Sequence, residues 1–190
     1  MMRALATRFF TNEVVSRGQR RSGDLKRGGS NWLPFPAMIV RMVRLSKSRI
    51  MSSLQCLKRV YLEVRHPELA EIPASTQAAF DIGHKVGDIA VKIYGQAGGI
   101  YLEYETGLQS LLKQTRNLMG RVERVPIFEA TLEHQGVLVR EDVLLPDGDS
   151  WRVVEVKATT KKKVEHVQDC AIQAWVHQGC GYPLERIALA

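Results

Sequence analysis

Apolar residues recur every three or four positions in four stretches of this chain; elsewhere they cluster in short runs or alternate with polar residues. Over Leu45–Leu69 the repeat is Leu54, Leu57, Tyr61 and Val64, the spacing of one helical face. Ser46 is positioned to cap the start and His66-Pro67 to end the run, in one helix or two. Ser75–Tyr94 predicts another helix, with Ala79, Phe80, Gly83, Val86, Gly87, Ala90 and Ile93 on one face. Gly83 and Gly87, one turn apart, predict close approach by another element. Gly107–Met119 predicts a helix packed through Leu108, Leu111, Leu112, Leu118 and Met119. Val164–Gln178 predicts one packed through Val167, Cys170, Ala171, Ala174 and Trp175, which Gly179–Gly181 and Pro183 end.

Between the helices lie strand patterns. Ile100–Glu103 predicts a short strand, and Pro126–Glu133 a longer one that turns at His134-Gln135-Gly136 into VLVREDVLLPDGDSWRVVEVK. In that stretch two apolar-rich runs flank Asp147-Gly148, a strong hairpin signal. Arg186–Ala190 opens a further strand at the end of the chain, so the domain reads as truncated there, with a C-terminal part as its missing partner. Helices, a three-strand meander, a helix and a strand predict an α/β fold, a mixed sheet with a central antiparallel meander flanked by helices.

The hairpin carries the candidate chemistry. Pairing Asp147 with Ser150 sets Asp142 directly opposite Glu155, and alternation puts Lys157 on the face of Glu155. The other face then holds Val139, Val143, Val154 and Val156. Directly opposed carboxylates repel and destabilise a sheet, so the pattern predicts a divalent cation that offsets the repulsion, with the Lys157 ammonium beside it.

Charge and composition narrow the field. Of 190 residues 45% are hydrophobic and 25% charged, ordinary for a soluble domain, and no apolar run reaches membrane-spanning length. The net charge of +7 is concentrated early: residues 1–48 hold ten Lys/Arg against two Asp/Glu. Residues 1–44, rich in Gly, Arg and Ser, read as a basic disordered extension that attracts an anionic partner or is simply a solvated tail. Arg3, Arg8 and Phe9-Phe10 give its start a faint likeness to a transit peptide, while Met38 and Met42 fit an extended gene start just as well. Cys56, Cys170 and Cys180 form no CxxC or Cys/His pattern, which points to a reducing, cytoplasmic setting and no membrane.

Asp142, twelve residues, then Glu155-Val156-Lys157 is a D…ExK pattern. With the ordered segments LSKSRIMSSLQCLKRVYLEV, FDIGHKVGDIA, IFEATLEHQGVLVREDVL, WRVVEVKATT and AIQAWV, residues 45–190 resemble the PD-(D/E)XK nuclease superfamily. Within it the likeness is to the RecB-like and CRISPR-associated exonuclease branch, and to the nuclease-like N-terminal domain of an uncharacterised bacterial family.

The resemblance implies a restriction-endonuclease-like core and Mg²⁺- or Mn²⁺-dependent cleavage of DNA in repair or defence. It implies that Asp142 and Glu155 ligate the metal with the Val156 carbonyl, that Glu129 joins directly or through water, and that Lys157 orients water or stabilises the phosphate. It gives Gln173 a supporting role at the site and the DNA. Lys161, Lys162 and Lys163 are either phosphate contacts or a solvated basic link, and Trp175 reads as core. Two departures stand out. Where relatives have a histidine one turn after Gly83 this chain has Gly87, with His84 beside the glycine instead. Cys56 resembles the early cysteine of iron–sulfur relatives, but a cluster would need further cysteines beyond residue 190; otherwise it is a buried thiol. The alternative is a nucleic-acid-binding or scaffold domain on the same fold with little or no catalysis.

Overall fold

The structure, a computed structural model, describes residues 44–71 and 74–190. The readings of the basic extension lie outside these residues, except for Arg44. Chain order is β1 (Leu45–Ser46), α1 (Lys47–Gln55), α2 (Leu57–Arg65), α3 (Ala74–Tyr94), β2 (Ile100–Tyr101), α4 (Leu108–Met119), β3 (Ile127–His134), β4 (Val137–Asp147), β5 (Ser150–Glu155), α5 (Val164–Gly179) and β6 (Leu184–Leu189), with single 3-10 turns at Pro67–Leu69 and Tyr104–Thr106. Ser46 caps α1 by accepting from the Arg49 N–H.

Six strands form one mixed sheet in the order β2-β3-β4-β5-β6, with β1 against the start of β4. Tight turns make β3, β4 and β5 an antiparallel meander. The crossover through α5 brings β6 in parallel to β5, as a connection of that length allows. The hairpin register is the predicted one from Asp147–Ser150 to Val143–Val154 but ends there, so Asp142 and Glu155 are not the directly opposed pair the sequence predicts; Gly148 turns at φ 59°, where a side chain would be strained.

Helices cover both faces. On one, Leu111, Leu118 and Met119 of α4 and Val176 of α5 pack on Ile127, Val139, Leu144, Trp151 and Val153. On the other, Ala90, Val91 and Tyr94 of α3 meet Phe128, Val143, Leu145, Val154 and Val156. Val139 therefore does not share a face with Val143, Val154 and Val156, as strict alternation predicts. The reason is local. Phe128 pairs with Val143 and Ala130 with Glu141, but Glu129 and Asp142 between them leave the ladder, and Glu129 takes φ 60°. Both strands exchange faces across that position.

Faces of four helices also differ from expectation. In α5 the predicted stripe is turned outward, Val167 and Trp175 each 38% exposed, and the buried residues are Asp169, Gln173, Val176 and His177. In α3 the sheet is met only through the C-terminal half; Phe80 and Ile93 are exposed, and a Cβ on Gly83 or Gly87 would meet nothing within 4 Å. In α1 and α2, Leu54, Leu57 and Tyr61 are exposed, and Cys56 between the helices is an exposed thiol rather than a buried one.

Candidate active site

The site straddles the sheet where the strand alternation breaks. Asp142 leaves the ladder of β4 and accepts a 2.7 Å hydrogen bond at Oδ2 from the N–H of Val156, the residue after the end of β5. Its carboxyl is pushed up to about 7, first by burial and then by the charge of Glu155, against the pull of the Val156 N–H and Lys47. Glu129, which leaves the ladder of β3 at the same level, forms a 3.0 Å ion pair with Arg140; burial raises its carboxyl and Arg140 works against the rise.

Glu129, Asp142 and Val156 floor a cleft of about 410 Å³ whose far wall is Gly83, His84 and Gly87 of α3. The two glycines thus open space instead of admitting a neighbouring element. His84 lines the same cleft as Asp142, although it is one residue, not one turn, from Gly83.

Glu155 belongs to the α5 face. It is 2% exposed. Oε1 accepts from Lys47 Nζ at 3.0 Å and from Lys157, and Oε2 accepts from Gln173 Nε2 at 2.6 Å. Asp169, one turn before Gln173 on α5, closes the cluster, with Lys47 Nζ 2.9 Å from Oδ1 and Lys157 Nζ 2.7 Å from Oδ2. Burial acts to raise the Asp169 carboxyl, but the two lysines outweigh it and hold it at about 2. Burial likewise acts to lower the ammonium of Lys157, and its hydrogen bonds to Asp169 and Glu155 reverse the direction. The same balance raises Lys47, through Glu155 and Asp169.

Of the predicted residues, Asp142, Glu129 and Val156 come together in the cleft, and Glu155, Lys157 and Gln173 in the cluster behind it. Lys161, Lys162 and Lys163 stand exposed on the link before α5, Lys163 3.9 Å from Glu165. Trp175 is no core residue: its ring stands edge-on to His134 at 4.9 Å.

Four residues escaped the sequence reading. Lys47 reaches the site from α1, over a hundred residues before Glu155. Asp169 and His177 flank Gln173 at helical spacing, and that polar repeat was the one signal available. His177 Nδ1 lies 2.9 Å from Glu141 Oε1, with both side chains fully buried. Glu141 precedes Asp142 and is held toward α5 while Asp142 serves the cleft.

Among the described residues no group of three or more His, Cys, Asp or Glu is arranged to hold a metal ion. The donor chemistry nevertheless fits a hard divalent cation, because Mg²⁺ needs only one or two carboxylates and keeps several waters. Asp142, half-buried beside the charge of Glu155, is a carboxylate that such an ion would relieve. No helix among the described residues is long and apolar enough to cross a membrane.

No family model, curated protein or solved structure matches the chain. The likeness drawn from the motifs therefore rests on the residues themselves.

Proposed function

We propose that this chain is a divalent-metal-dependent nuclease that cleaves DNA phosphodiester bonds, in the repair or defence setting the motifs imply. The observation that carries the reading is Asp142, a carboxylate in a cleft, beside the charge of Glu155 and pushed up to about 7. An acid perturbed by burial and a specific charge partner in a cleft is a functional-site candidate. A bound Mg²⁺ or Mn²⁺ would supply charge stabilisation and lower the pKa of an attacking water.

The chain's own residues do the rest. Asp142 and Glu155 offer carboxylate oxygens to the ion, with the Val156 carbonyl and Glu129 as further donors. Lys157 offers its ammonium to charge developing on the phosphate. Gln173 orients Glu155, and Lys47 and Asp169 hold Glu155 and Lys157 in place.

A second reading, a DNA-binding or scaffold domain with weak or no catalysis, draws on one observation. Both oxygens of Glu155 already have partners, lysines on one and Gln173 on the other. Calorimetry of Mg²⁺ or Mn²⁺ binding to the wild type and to Asp142→Asn, with labelled single- and double-stranded DNA incubated in parallel, separates the two. Metal binding that vanishes in the variant, together with metal-dependent cleavage, supports the nuclease. A folded protein that neither binds metal nor cuts leaves the binding domain.

A further inference from the structure

Two aromatic rings, one in the cleft and one joined to it through Arg140, have no part in the chemistry above. Tyr101, 47% exposed, lines the cleft with Glu129, and Tyr104, 67% exposed, follows three residues later. The Arg140 guanidinium links Tyr104 to the site: Cζ lies 5.2 Å from the centre of the Tyr104 ring, and Nη2 lies 3.0 Å from Glu129. A tyrosine this exposed adds little to the packing of the fold, so its ring remains available to a ligand. Opposite, Gly83 and Gly87 leave a smooth wall with open space beyond the backbone. The cleft, about 410 Å³, has the volume of a small-molecule pocket. That volume suits one nucleotide unit of a strand.

We propose that Tyr104, backed by Arg140 and joined by Tyr101, is a stacking platform for an unpaired base, so that the site takes single-stranded DNA along the glycine wall. Every base has a π face, so an aromatic ring with an arginine beside it holds a strand without reading its sequence. The Arg140 charge also offsets Glu129 next to the path of the phosphates. This inference rests on reading the cleft as a DNA site, but its test does not use cleavage.

The test is fluorescence anisotropy in EDTA with the full chain. The probes are labelled oligothymidylate, a duplex of equal length and an abasic oligomer. The variants are Tyr104→Ala, Tyr104→Phe and, as a control on α2, Tyr61→Ala. Oligothymidylate is expected to bind more tightly than the duplex or the abasic strand. Tyr104→Ala should weaken oligothymidylate about fivefold or more, while Tyr104→Phe, which keeps the ring, and Tyr61→Ala stay near wild type. Equal affinity for all three probes, or an unchanged Tyr104→Ala, overturns the platform. The expected binding pattern without metal-dependent cleavage on adding Mg²⁺ would uphold the platform and sink the nuclease reading alone.

Discussion

The two faces of the sheet give carboxylates one strand apart opposite surroundings. On the α5 face Asp169 and Glu155 share two lysines and the Gln173 amide, and Asp169 stays ionised to about pH 2 although burial works against it. On the α3 face Asp142 has one backbone N–H and the nearby charge of Glu155, and its carboxyl rises to about 7. Burial opposes ionisation in both places; the supply of partners decides the outcome. Where lysines flank the acids, ionisation is already favoured without a ligand. A face with a repelled acid in an open cleft is where a cationic ligand gains most.

The largest effect that sharpens this contrast is on activity. Asp142→Asn removes the acid of the cleft, and Lys157→Ala removes a lysine from the opposite face. Each should slow DNA cleavage by about a hundredfold or more in single-turnover assays, with DNA affinity little changed or raised where negative charge is lost. Equal losses would make the two faces one site. A loss confined to one variant would break that link.

Stability should divide the faces the other way. Lys47→Met leaves Glu155 and Asp169 with Lys157 as their one ammonium beside the Gln173 amide and should cost about 2–4 kcal/mol, read as a lower urea midpoint. Asp142→Asn, in the cleft, should cost nothing at neutral pH. If Lys47→Met were neutral, the α5 cluster would be a surface ion pair in effect, and the distinction between the faces would fail.

This contrast also marks where the sequence could be read. The hairpin was legible because its signals are local: Asp147-Gly148 and the flanking β-branched residues fix the pairing of Val143 with Val154. Alternation then failed at one place, Glu129 and Asp142, because a residue at φ 60° in mid-strand has no pattern to announce it. The α5 face was illegible for a different reason. That helix carries an apolar stripe and a polar one, and hydrophobic periodicity selects the apolar stripe. The polar one faces inward because Glu155 and Glu141 wait on the strands, and those partners meet only in the folded chain. Lys47 lies 108 residues from Glu155, beyond the reach of any window.

Acid titration should give smaller, opposed slopes. The folded value of Asp142, about 7, lies above its ordinary 3.8, so between them the native state keeps a proton that the unfolded chain releases. Stability then falls as pH rises from about 4 to about 7, and the loss is complete above that. Asp142→Asn should abolish this fall, leaving the variant more stable at pH 8 by roughly 1–2 kcal/mol after allowance for the open cleft, with the gain vanishing near pH 4. Asp169, at about 2, runs the other way: its contribution is present above its ordinary 3.8 and is lost as pH falls toward 2. Asp169→Asn should remove that acid-side loss. Thermal midpoints of the wild type and both variants across this range check the signs, and a common slope in all three would erase the difference between the faces.

The smallest effect concerns how thinly the cleft face is covered. Helix α3 reaches the sheet through Ala90, Val91 and Tyr94, whereas Phe80, Ile82, Ile89 and Ile93 are each more than half exposed. A side chain that stays about half in water on folding contributes only part of its transfer free energy to the difference between the two states. Phe80→Ser should therefore lower the unfolding free energy by only about 1 kcal/mol. Denaturant melts of the purified chain measure it directly. A loss of about 2 kcal/mol or more would mean that the first half of α3 is packed rather than free. The cleft wall formed by Gly83 and Gly87 would then be held from behind, and the α3 face would be as fully built as the α5 face it is contrasted with.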